Sequence, residues 1–471
     1  MPQAAPSDTS GVAMKVVICG AGQVGFGIAE RLAAEQNDVS IIDTSPRLIQ
    51  AVTDTLDVRG FVGHGSHPDV LARAGLEAAD MLIAVTLHDE VNMIACQVGH
   101  ALFDVPTKIA RVRAQSYLQG HWRDLFSRDH LPIDVVISPE LEVGEMVLRR
   151  LSLPGAVDTV SFNDSNVVVV GVRCQEDCPV LDTPLRQLTD LFPDLRAVVV
   201  AVYRNGKTFV PRSTDSLLAG DLAYFVAHTD QVSRTLSIFG HDEPPAQRIV
   251  IGGGGNIGLY VARELELRNP KARVKIIEDN IGRAEEIAQQ LTRTVVLRGS
   301  ALDRAILEEA AVGDADTMIA VTNDDRVNIL SCLLSRELGA KRMLSLLNDP
   351  AYPAFARGLG IDAYVNPRQI TVSKILQYVR KGRIRGVHSL LNGAGEVIEA
   401  EALETSPLVG KPLRQLDIFD GMRIGAVIRG GRVMLPRGDT VIQARDRVVM
   451  FALADKVKRV EQLFRVSLEF F

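Results

Sequence analysis

Two glycine-rich segments have the residue spacing with which a backbone turn can hold a phosphate group. They are Gly20-x-Gly22-x-x-Gly25 and Gly253-x-Gly255-x-x-Gly258, and each separates an apolar run from a helical pattern. The first glycine permits a tight turn, the second lets the backbone approach a pyrophosphate, and the third lets helix pack on strand. Amides at the start of the helix then hold the phosphates. The predicted phosphate-binding residues are these six glycines with Gln23, Val24, Asn256 and Ile257.

An acidic residue follows each glycine motif at the distance expected for a ribose contact. Asp43 comes 18 residues after Gly25, and Glu278 comes 20 residues after Gly258. A carboxylate at the end of the second strand accepts hydrogen bonds from ribose hydroxyls and repels a 2′-phosphate. The motifs therefore favour NAD(H) or an adenine nucleotide over NADP. The alternative is a structural glycine turn followed by a surface acid.

A second set of small and hydroxyl-bearing residues falls where further strands should end. Comparison of the two segments aligns Gly63-His-Gly-Ser66 with Leu297-Arg-Gly-Ser300 and Thr86 with Thr322. Ligands of doubly wound sheets bind at the carboxyl ends of the strands, although a Gly-Ser pair is equally typical of a simple turn. The candidate ligand-lining residues are Gly65, Ser66, Thr86, Gly299, Ser300 and Thr322.

The motifs recur because the chain of 471 residues is a tandem duplication with a period of about 235 residues. Asp80–Thr86 matches Asp316–Thr322 at five of seven positions, and Pro184–Leu188 recurs unchanged as Pro412–Leu416. The predicted order is a disordered tail (1–13), a first Rossmann-like domain (14–137), a bridging helix with a first small lobe (138–240), a linker (241–247), a second Rossmann-like domain (248–366), and a bridging helix with a second small lobe (367–471).

The alternation of short apolar runs and helical patterns predicts an α/β fold. Strands are expected at Val16–Cys19, Asp38–Asp43 and Met81–Thr86, with helices at Val24–Glu35 and Glu90–Leu102. This alternation indicates two Rossmann-like domains with doubly wound parallel sheets. The lobes contain short alternating strands and turn pairs, which predict small α+β units. Bridging helices are expected at Glu140–Leu151 and Thr371–Tyr378.

The residues that an enzyme or a metal site would need do not recur between the halves. No histidine is shared by them, Cys174-x-x-x-Cys178 lacks the second pair of a zinc site, and no Walker A motif is present. A dehydrogenase needs a proton-transfer group beside the nicotinamide. We therefore predict paired nucleotide sites without catalytic residues or metal, which suits a sensor. The alternatives are an NAD-dependent oxidoreductase and a scaffold with vestigial glycine turns.

The composition, with 46% hydrophobic and 23% charged residues, is that of an ordinary globular protein. A net charge of −6 argues against a nucleic-acid partner, and no apolar run approaches the roughly 20 residues that cross a bilayer. Five cysteines fit a reducing compartment, so we expect a cytosolic protein. The basic cluster Arg380–Arg385 is either a solvated linker or a contact with anionic lipid headgroups or an acidic partner.

The segments Val16–Gly25 and Asp80–Thr86, Asn92 and the duplicated domain order resemble the TrkA family, the cytosolic regulatory subunits of bacterial Trk potassium uptake systems. The resemblance implies RCK domains and lobes, and NAD(H) and ATP or ADP as ligands. It also implies a homotetrameric gating ring on the inner face of the plasma membrane, bound to a potassium channel subunit of the TrkH or TrkG type. It carries a nucleotide role over to the six motif glycines, Asp43 and Glu278.

Two departures from the pattern of the first motif leave open whether both sites prefer the same nucleotide. The second motif begins Gly252-Gly-Gly-Gly255 and has Glu278 where the first has Asp43. Leu297-Arg-Gly299 also differs from Gly63-His-Gly65. We expect that nucleotide exchange changes the spacing of the ring and so opens or closes the pore.

Overall fold

The computed structural model describes residues 13–118, 120–153, 155–162, 166–192, 195–349, 351–379, 384–390, 393–416 and 420–464. Residues 1–12 of the predicted tail and residues 380–383 of the basic cluster lie outside the described residues. The described residues divide into two compact units. The first unit contains the described residues up to Glu142 together with Arg368–Val379. The second unit contains the described residues within Val143–Pro367 and within Arg380–Phe471.

The first parallel sheet has six strands, in the order β3-β2-β1-β4-β5-β6. All of its strand pairs are parallel, and β1 and β4, at its centre, are almost wholly apolar and buried. This doubly wound order confirms the predicted fold class. Its elements are β1 (Lys15–Cys19), α1 (Gln23–Ala34), β2 (Asp38–Asp43), α2 (Pro46–Thr53), β3 (Arg59–Val62), α3 (Pro68–Arg73), β4 (Met81–Ala84), α4 (Asp89–Ala101), β5 (Thr107–Arg111) and β6 (Val135–Ile137).

The first lobe is an antiparallel sheet with strand order β10-β9-β11-β8-β7, and it follows a bridging helix. Asn205 and Gly206 form the two-residue turn between β9 and β10, both with positive φ, as the sequence predicts. The elements are α5 (Pro139–Ser152), β7 (Ala156–Phe162), β8 (Val167–Arg173), α6 (Leu185–Leu191), β9 (Ala197–Arg204), β10 (Lys207–Phe209), β11 (Leu222–His228) and α7 (Val232–Ile238).

The second parallel sheet repeats the first in the order β14-β13-β12-β15-β16-β17. Its strand pairs are again all parallel. Its elements are β12 (Arg248–Gly252), α8 (Asn256–Arg268), β13 (Arg273–Glu278), α9 (Ile281–Gln290), β14 (Val295–Arg298), α10 (Arg304–Glu309), β15 (Thr317–Ala320), α11 (Asp325–Glu337), β16 (Met343–Leu346), α12 (Tyr352–Gly358) and β17 (Ala363–Val365).

The second bridging helix and lobe repeat the plan of the first, with strand order β18-β19-β22-β20-β21. The helix begins at Pro367, four residues before the predicted start, because proline suits the first turn of a helix. The elements are α13 (Pro367–Val379), β18 (Ile384–Leu390), β19 (Gly395–Glu401), β20 (Met422–Arg429), β21 (Arg432–Met434), β22 (Arg447–Leu453) and α14 (Val457–Leu463).

The same ion pair joins the end of one strand to the start of a neighbouring strand in each lobe, β9 to β11 and β20 to β22. Arg204 donates from Nε and Nη2 to Asp221 at 2.8 and 2.6 Å, and Arg429 donates to Asp446 at the same two distances. Both carboxylates are almost wholly buried. Such a two-bond contact fixes geometry as well as charge, so the same strand junction is kept in both lobes.

The two lobes also share a hydrophobic core. A Cβ on Gly425 in β20 would lie 2.3 Å from a methyl carbon of Val226 in β11, so the strands meet closely there. Arg423 donates from Nη1 to the carbonyl oxygen of Pro211 at 2.8 Å, which links the lobes by a polar contact. In the part of the chain that the structure describes, no helix is long and apolar enough to span a bilayer.

Candidate functional site

Each glycine motif forms a turn that requires glycine at its first and third positions. We call Gly20–Gly25 the first glycine turn and Gly253–Gly258 the second. Gly20 and Gly253 both have a φ of +110°, a value that residues with a Cβ rarely adopt. A Cβ on Gly25 would lie 1.8 Å from the carbonyl oxygen of Gly20, and one on Gly258 would lie 2.0 Å from that of Gly253. The third glycine therefore lets the helix approach the turn, as the motif predicts.

The second glycine of each turn borders open space. Outside the turn itself, no heavy atom lies within 4 Å of a Cβ built on Gly22 or Gly255. These glycines are the N-caps of α1 and α8, and no side chain caps either helix, whereas Ser45 and Asn280 cap α2 and α9. The first amides of a helix lack partners within it, so donors remain beside this space. They belong to the predicted residues Gln23, Val24, Asn256 and Ile257.

The two predicted acids bind the glycine turns directly. Asp43 accepts hydrogen bonds from the amide of Ala21 at 2.8 Å and from that of Ser45 at 2.8 Å. Glu278 accepts them from the amides of Gly254 at 2.7 Å and Asn280 at 2.9 Å. Each carboxylate thus joins the glycine turn to the start of the next helix. Sequence reasoning assigned these acids to a ligand and did not foresee their structural role.

The longer acid of the second site is matched by a smaller turn residue. Gly254 occupies the place of Ala21, and a Cβ there would lie 2.5 Å from Cδ1 of Ile287 and 3.0 Å from Oε2 of Glu278. The first site combines Ala21 with the shorter Asp43. The extra glycine at position 254 therefore leaves room for the longer glutamate of the second motif.

Thr86 and Thr322 lie against the glycine turns from the neighbouring strand. A Cβ on Gly20 would be 3.0 Å from the amide nitrogen of Thr86, and the same distance relates Gly253 to Thr322. In the first site Asn92 holds this segment, because its Oδ1 accepts from the amide and the hydroxyl of Thr86 at 2.8 and 2.7 Å. The sequence-predicted threonines thus converge with the glycines and acids at the carboxyl edge of each sheet.

Asn92 and its counterpart Asn328 support the threonine segments of the two candidate sites, a role that the sequence analysis did not assign to them. Both are fully buried, and each holds four hydrogen bonds, including one to the end of the next strand, at Arg111 or Leu346. The signal was present, since Asp-x-x-Asn recurs in both halves. A buried amide with every polar atom bonded fixes the threonine segment in one position.

The alignment of Gly63–Ser66 with Leu297–Ser300 is wrong by two residues. The amide of Gly63 donates to the carbonyl oxygen of Asp43, and that of Gly299 donates to the carbonyl oxygen of Glu278. The counterpart of Gly299 is therefore Gly63, and that of Ser300 is His64. The sequence comparison aligned the two Gly-Ser pairs because they are identical. Structural equivalence is set by the register of the strands, which identical residues do not reveal.

Gly65, Ser66 and Ser300 consequently have different surroundings in the two halves. A Cβ on Gly65 would lie 2.9 Å from Cβ of Cys19 at the end of β1. The hydroxyl of Ser66 is hydrogen-bonded to Nδ1 of His64 at 2.9 Å. Ser300 accepts from the amide of Leu302 at 3.2 Å, within its own turn. Of these residues, Gly65 is the one whose backbone closely approaches the first strand.

The charged groups beside the two turns differ. Arg283 donates from Nε to the carbonyl oxygen of Gly254 at 2.9 Å and from Nη1 to Glu286 at 2.8 Å. The equivalent residue of the first half, three after the N-cap of α2, is Leu48.

Burial raises the pKa of the Cys19 thiol to about 12, so this sulfur stays protonated at neutral pH and is a poor nucleophile.

The model of the TrkA-N domain matches residues 16–139 and 249–367, and that of the TrkA-C domain matches residues 169–240 and 397–465. This chain belongs to the TrkA family. It is 75% identical over 458 residues to the Trk system potassium uptake protein TrkA of Azorhizobium caulinodans, covering 97% of this chain and 100% of that protein. The same-named protein of Halomonas elongata is 42% identical, with coverage of 97% and 100%.

Solved structures share the fold of this TrkA-family chain at low sequence identity. The RCK domain of GsuK has a TM-score of 0.60 at 18% identity, covering 98% of this chain and 96% of that one. The GsuK channel bound to NAD has a TM-score of 0.59 at 17% identity, covering 98% and 80%. These likenesses confirm the RCK-type fold, in which each TrkA-N domain is a parallel-sheet domain followed by a TrkA-C lobe.

Proposed function

We propose that this protein is the nucleotide-sensing regulatory subunit of a Trk potassium uptake system. The observation that carries the proposal is the complete set of glycine turn, acid and threonine in both TrkA-N domains. Each set leaves helix amides beside an open space at Gly22 or Gly255. Curated relatives that this chain covers over their full length are named as Trk system potassium uptake proteins.

The ligands are NAD(H) and ATP or ADP, bound at the carboxyl edges of the two parallel sheets. The amides of α1 and α8 hold the phosphates, because helix N-termini carry partial positive charge. Each carboxylate oxygen of Asp43 and Glu278 accepts one amide hydrogen bond and has a further lone pair. These lone pairs accept hydrogen bonds from the ribose hydroxyls. The second site has the guanidinium of Arg283, itself paired with Glu286, where the first has Leu48, so a hydrogen-bond donor lies beside the second turn and not at that position of the first.

The protein acts as a regulator of transport and not as an oxidoreductase. It works in the cytoplasm as a homotetrameric ring on the inner face of the plasma membrane, bound to a TrkH- or TrkG-type channel subunit. A ligand changes such an assembly only through different affinities for its open and closed states. Exchange of one nucleotide for another is therefore the input, and potassium flux is the output.

Titration calorimetry of the full chain with NADH, NADPH, ATP and ADP tests the ligand assignment. We expect Asp43→Asn to weaken NADH binding at the first site by roughly tenfold, the equivalent of about 1.4 kcal/mol. Asparagine keeps an acceptor for only one of the amides of Ala21 and Ser45, so thermal unfolding is measured beside binding to show that the variant is folded. An unchanged affinity for NADH in Asp43→Asn, or equal binding of NADH and NADPH, would reject the ribose contact. Steady oxidation of NADH by the wild type would instead indicate the oxidoreductase.

A further inference from the structure

Each bridging helix lies on the parallel-sheet domain of the other half of the chain. Within one unit, α13 of the second half packs into the core of the first sheet, through Val372, Ile375, Leu376 and Val379. Within the other unit, residues 143–152 of α5 contact α8 of the second sheet, where the hydroxyl of Tyr260 donates to Glu145 at 2.6 Å. The duplicated halves therefore exchange their bridging helices.

The residues at the two contacts occupy equivalent positions. Gly27 and Tyr260 lie seven residues after the first glycine of their turns, and Gly144 and Val372 lie five residues after the proline that opens their bridging helices. The two contacts are thus two versions of one interface, and their side chains can be compared directly.

The sizes of these side chains are reciprocal. In the first contact the small residue is on the domain helix: a Cβ on Gly27 would lie 3.1 Å from Cγ2 of Val372. In the second contact the small residue is on the bridging helix: a Cβ on Gly144 would lie 2.2 Å from Cδ1 of Tyr260. Pairing each helix with its own type of domain would instead set glycine against glycine and valine against tyrosine.

The charges follow the same reciprocal pattern. Arg368 of α13 lies 3.8 Å from Glu30 of α1, whereas Glu145 of α5 binds Arg268 of α8. The equivalents of Arg268 and Glu30 in the opposite domains are Glu35 and Arg263. Exchanging the partners would therefore bring carboxylate to carboxylate and guanidinium to guanidinium. Like charges at such distances oppose association.

We propose that these contacts form a size and charge code that restricts each bridging helix to the parallel-sheet domain of the opposite half. The code makes the pairing heterotypic, so that a helix does not dock on the like domain of a second copy of the chain. It uses both an attractive fit to the right partner and a clash, void or repulsion with the wrong one. The proposal is independent of which nucleotide the protein binds.

The thermal stability of the full chain tests the size code. If the code holds, the valine and glycine pair of the first contact should fit at the second contact, whereas the valine alone should not. We expect Gly144→Val to lower the Tm by about 5 °C or more, since its side chain overlaps Tyr260. Adding Tyr260→Gly, which recreates the first contact in the second, should restore at least half of that loss. Gly282→Ala, at an open helical position, is the control and should not lower the Tm.

Strictly additive losses in Gly144→Val and Tyr260→Gly would overturn the size code, because independent sites add. The choice of partner is tested by crosslinking pairs of introduced cysteines with a short bis-maleimide, because a disulfide needs Cβ atoms about 4 Å apart, closer than a glutamate–arginine ion pair holds them. The pair Glu145→Cys and Arg268→Cys should crosslink within one chain, and the pair Glu145→Cys and Glu35→Cys should not crosslink between chains. Adding Gly144→Val to the second pair should produce crosslinked dimers, because its valine then fits Gly27. Equal interchain crosslinking with and without Gly144→Val would reject the restriction.

Discussion

The three glycines of each turn share one motif but face different constraints. Gly20 needs its positive φ, and Gly25 needs the absence of a Cβ beside the carbonyl oxygen of Gly20. Gly22 has neither constraint within the protein, because a Cβ there meets open space. A requirement for glycine at this position must therefore come from a ligand that approaches the backbone.

This difference predicts separate consequences for two alanine substitutions. Gly25→Ala should destabilise the first parallel-sheet domain by about 2–3 kcal/mol, because its methyl group overlaps a backbone oxygen that cannot rotate away. Gly22→Ala should change stability by less than about 0.5 kcal/mol and weaken nucleotide binding by roughly tenfold. Urea unfolding and calorimetry measure the two effects. Full nucleotide affinity in a folded Gly22→Ala protein would contradict a phosphate at this turn.

The compensated pair of the second site gives another prediction at the residue scale. Gly254→Ala should cost about 1–3 kcal/mol, because its Cβ crowds Glu278 and Ile287. Combining it with Glu278→Asp recreates the Ala21 and Asp43 pair of the first site and should recover most of the loss. Urea midpoints of the single and double variants check this. A double variant no more stable than Gly254→Ala would show that the two residues do not compensate each other.

Residue types and spacing predicted the glycine turns and their acids because both belong to one recurring strand-turn-helix-strand pattern. The support from Asn92 was missed because a single asparagine does not show which strand ends it joins: three of its bonds reach Thr86 and one reaches Arg111. The alignment of Gly65 with Gly299 failed for a related reason: equivalence there is set by the pairing of β3 with β2, not by matching letters. A single sequence does not show which strand ends contact each other, and this is where the predictions were incomplete.

At the scale of elements, the apolar periodicity predicted both bridging helices but could not name their partners. An amphipathic pattern shows that a helix buries one face, and it does not show against what. The need for a small residue at Gly27 and at Gly144 is explained only by the side chains of Val372 and Tyr260, which contact them. The exchange of helices between halves was therefore outside the reach of the sequence, although the helices themselves were not.

One loop connection of the second domain should respond to acid. Glu266 of α8 accepts hydrogen bonds from the amides of Thr292, Arg293 and Thr294 and from the two threonine hydroxyls, before β14. Partial burial raises the pKa of this carboxyl, but the amides of Arg293 and Thr292 and the hydroxyls outweigh it and lower the pKa to about 2. A carboxyl whose pKa falls on folding stabilises the protein above its unfolded pKa.

The stabilising effect of Glu266 should be complete at neutral pH and lost as the pH falls from about 4.5 towards 2. Because the side chain is only partly buried, we expect only about 1 kcal/mol from it. Glu266→Gln should therefore lower the urea midpoint at neutral pH and have little effect near pH 2 to 3. An effect of Glu266→Gln that is equal at both pH values would mean that the carboxylate charge is not involved.

At the scale of the whole molecule, duplication has produced two sites that are alike in backbone and unlike in side chains. Asp43 with Ala21 and Glu278 with Gly254 hold their turns by the same bonds, while Arg283, which is paired with Glu286, lies where the first site has Leu48. In a sensor that compares two nucleotides, sites with different affinities separate the two ligands, and each ligand acts only through unequal affinity for the open and closed states. The motifs predict paired sites, and from the side-chain differences we expect the two sites to differ in nucleotide preference.

Reciprocal binding provides the decisive measurement of regulation in the intact assembly. If a nucleotide alters the coupling of this protein to its membrane partner by about 5- to 150-fold, the partner must alter nucleotide affinity by the same factor. We expect ATP and ADP affinities to diverge when the channel subunit is added in detergent, with Asp43→Asn and Glu278→Gln together abolishing the divergence. Each single variant should remove the contribution of its own site, because the turns lie in separate domains. Nucleotide affinities that do not change when the partner binds would leave the sites without a means to control potassium flux.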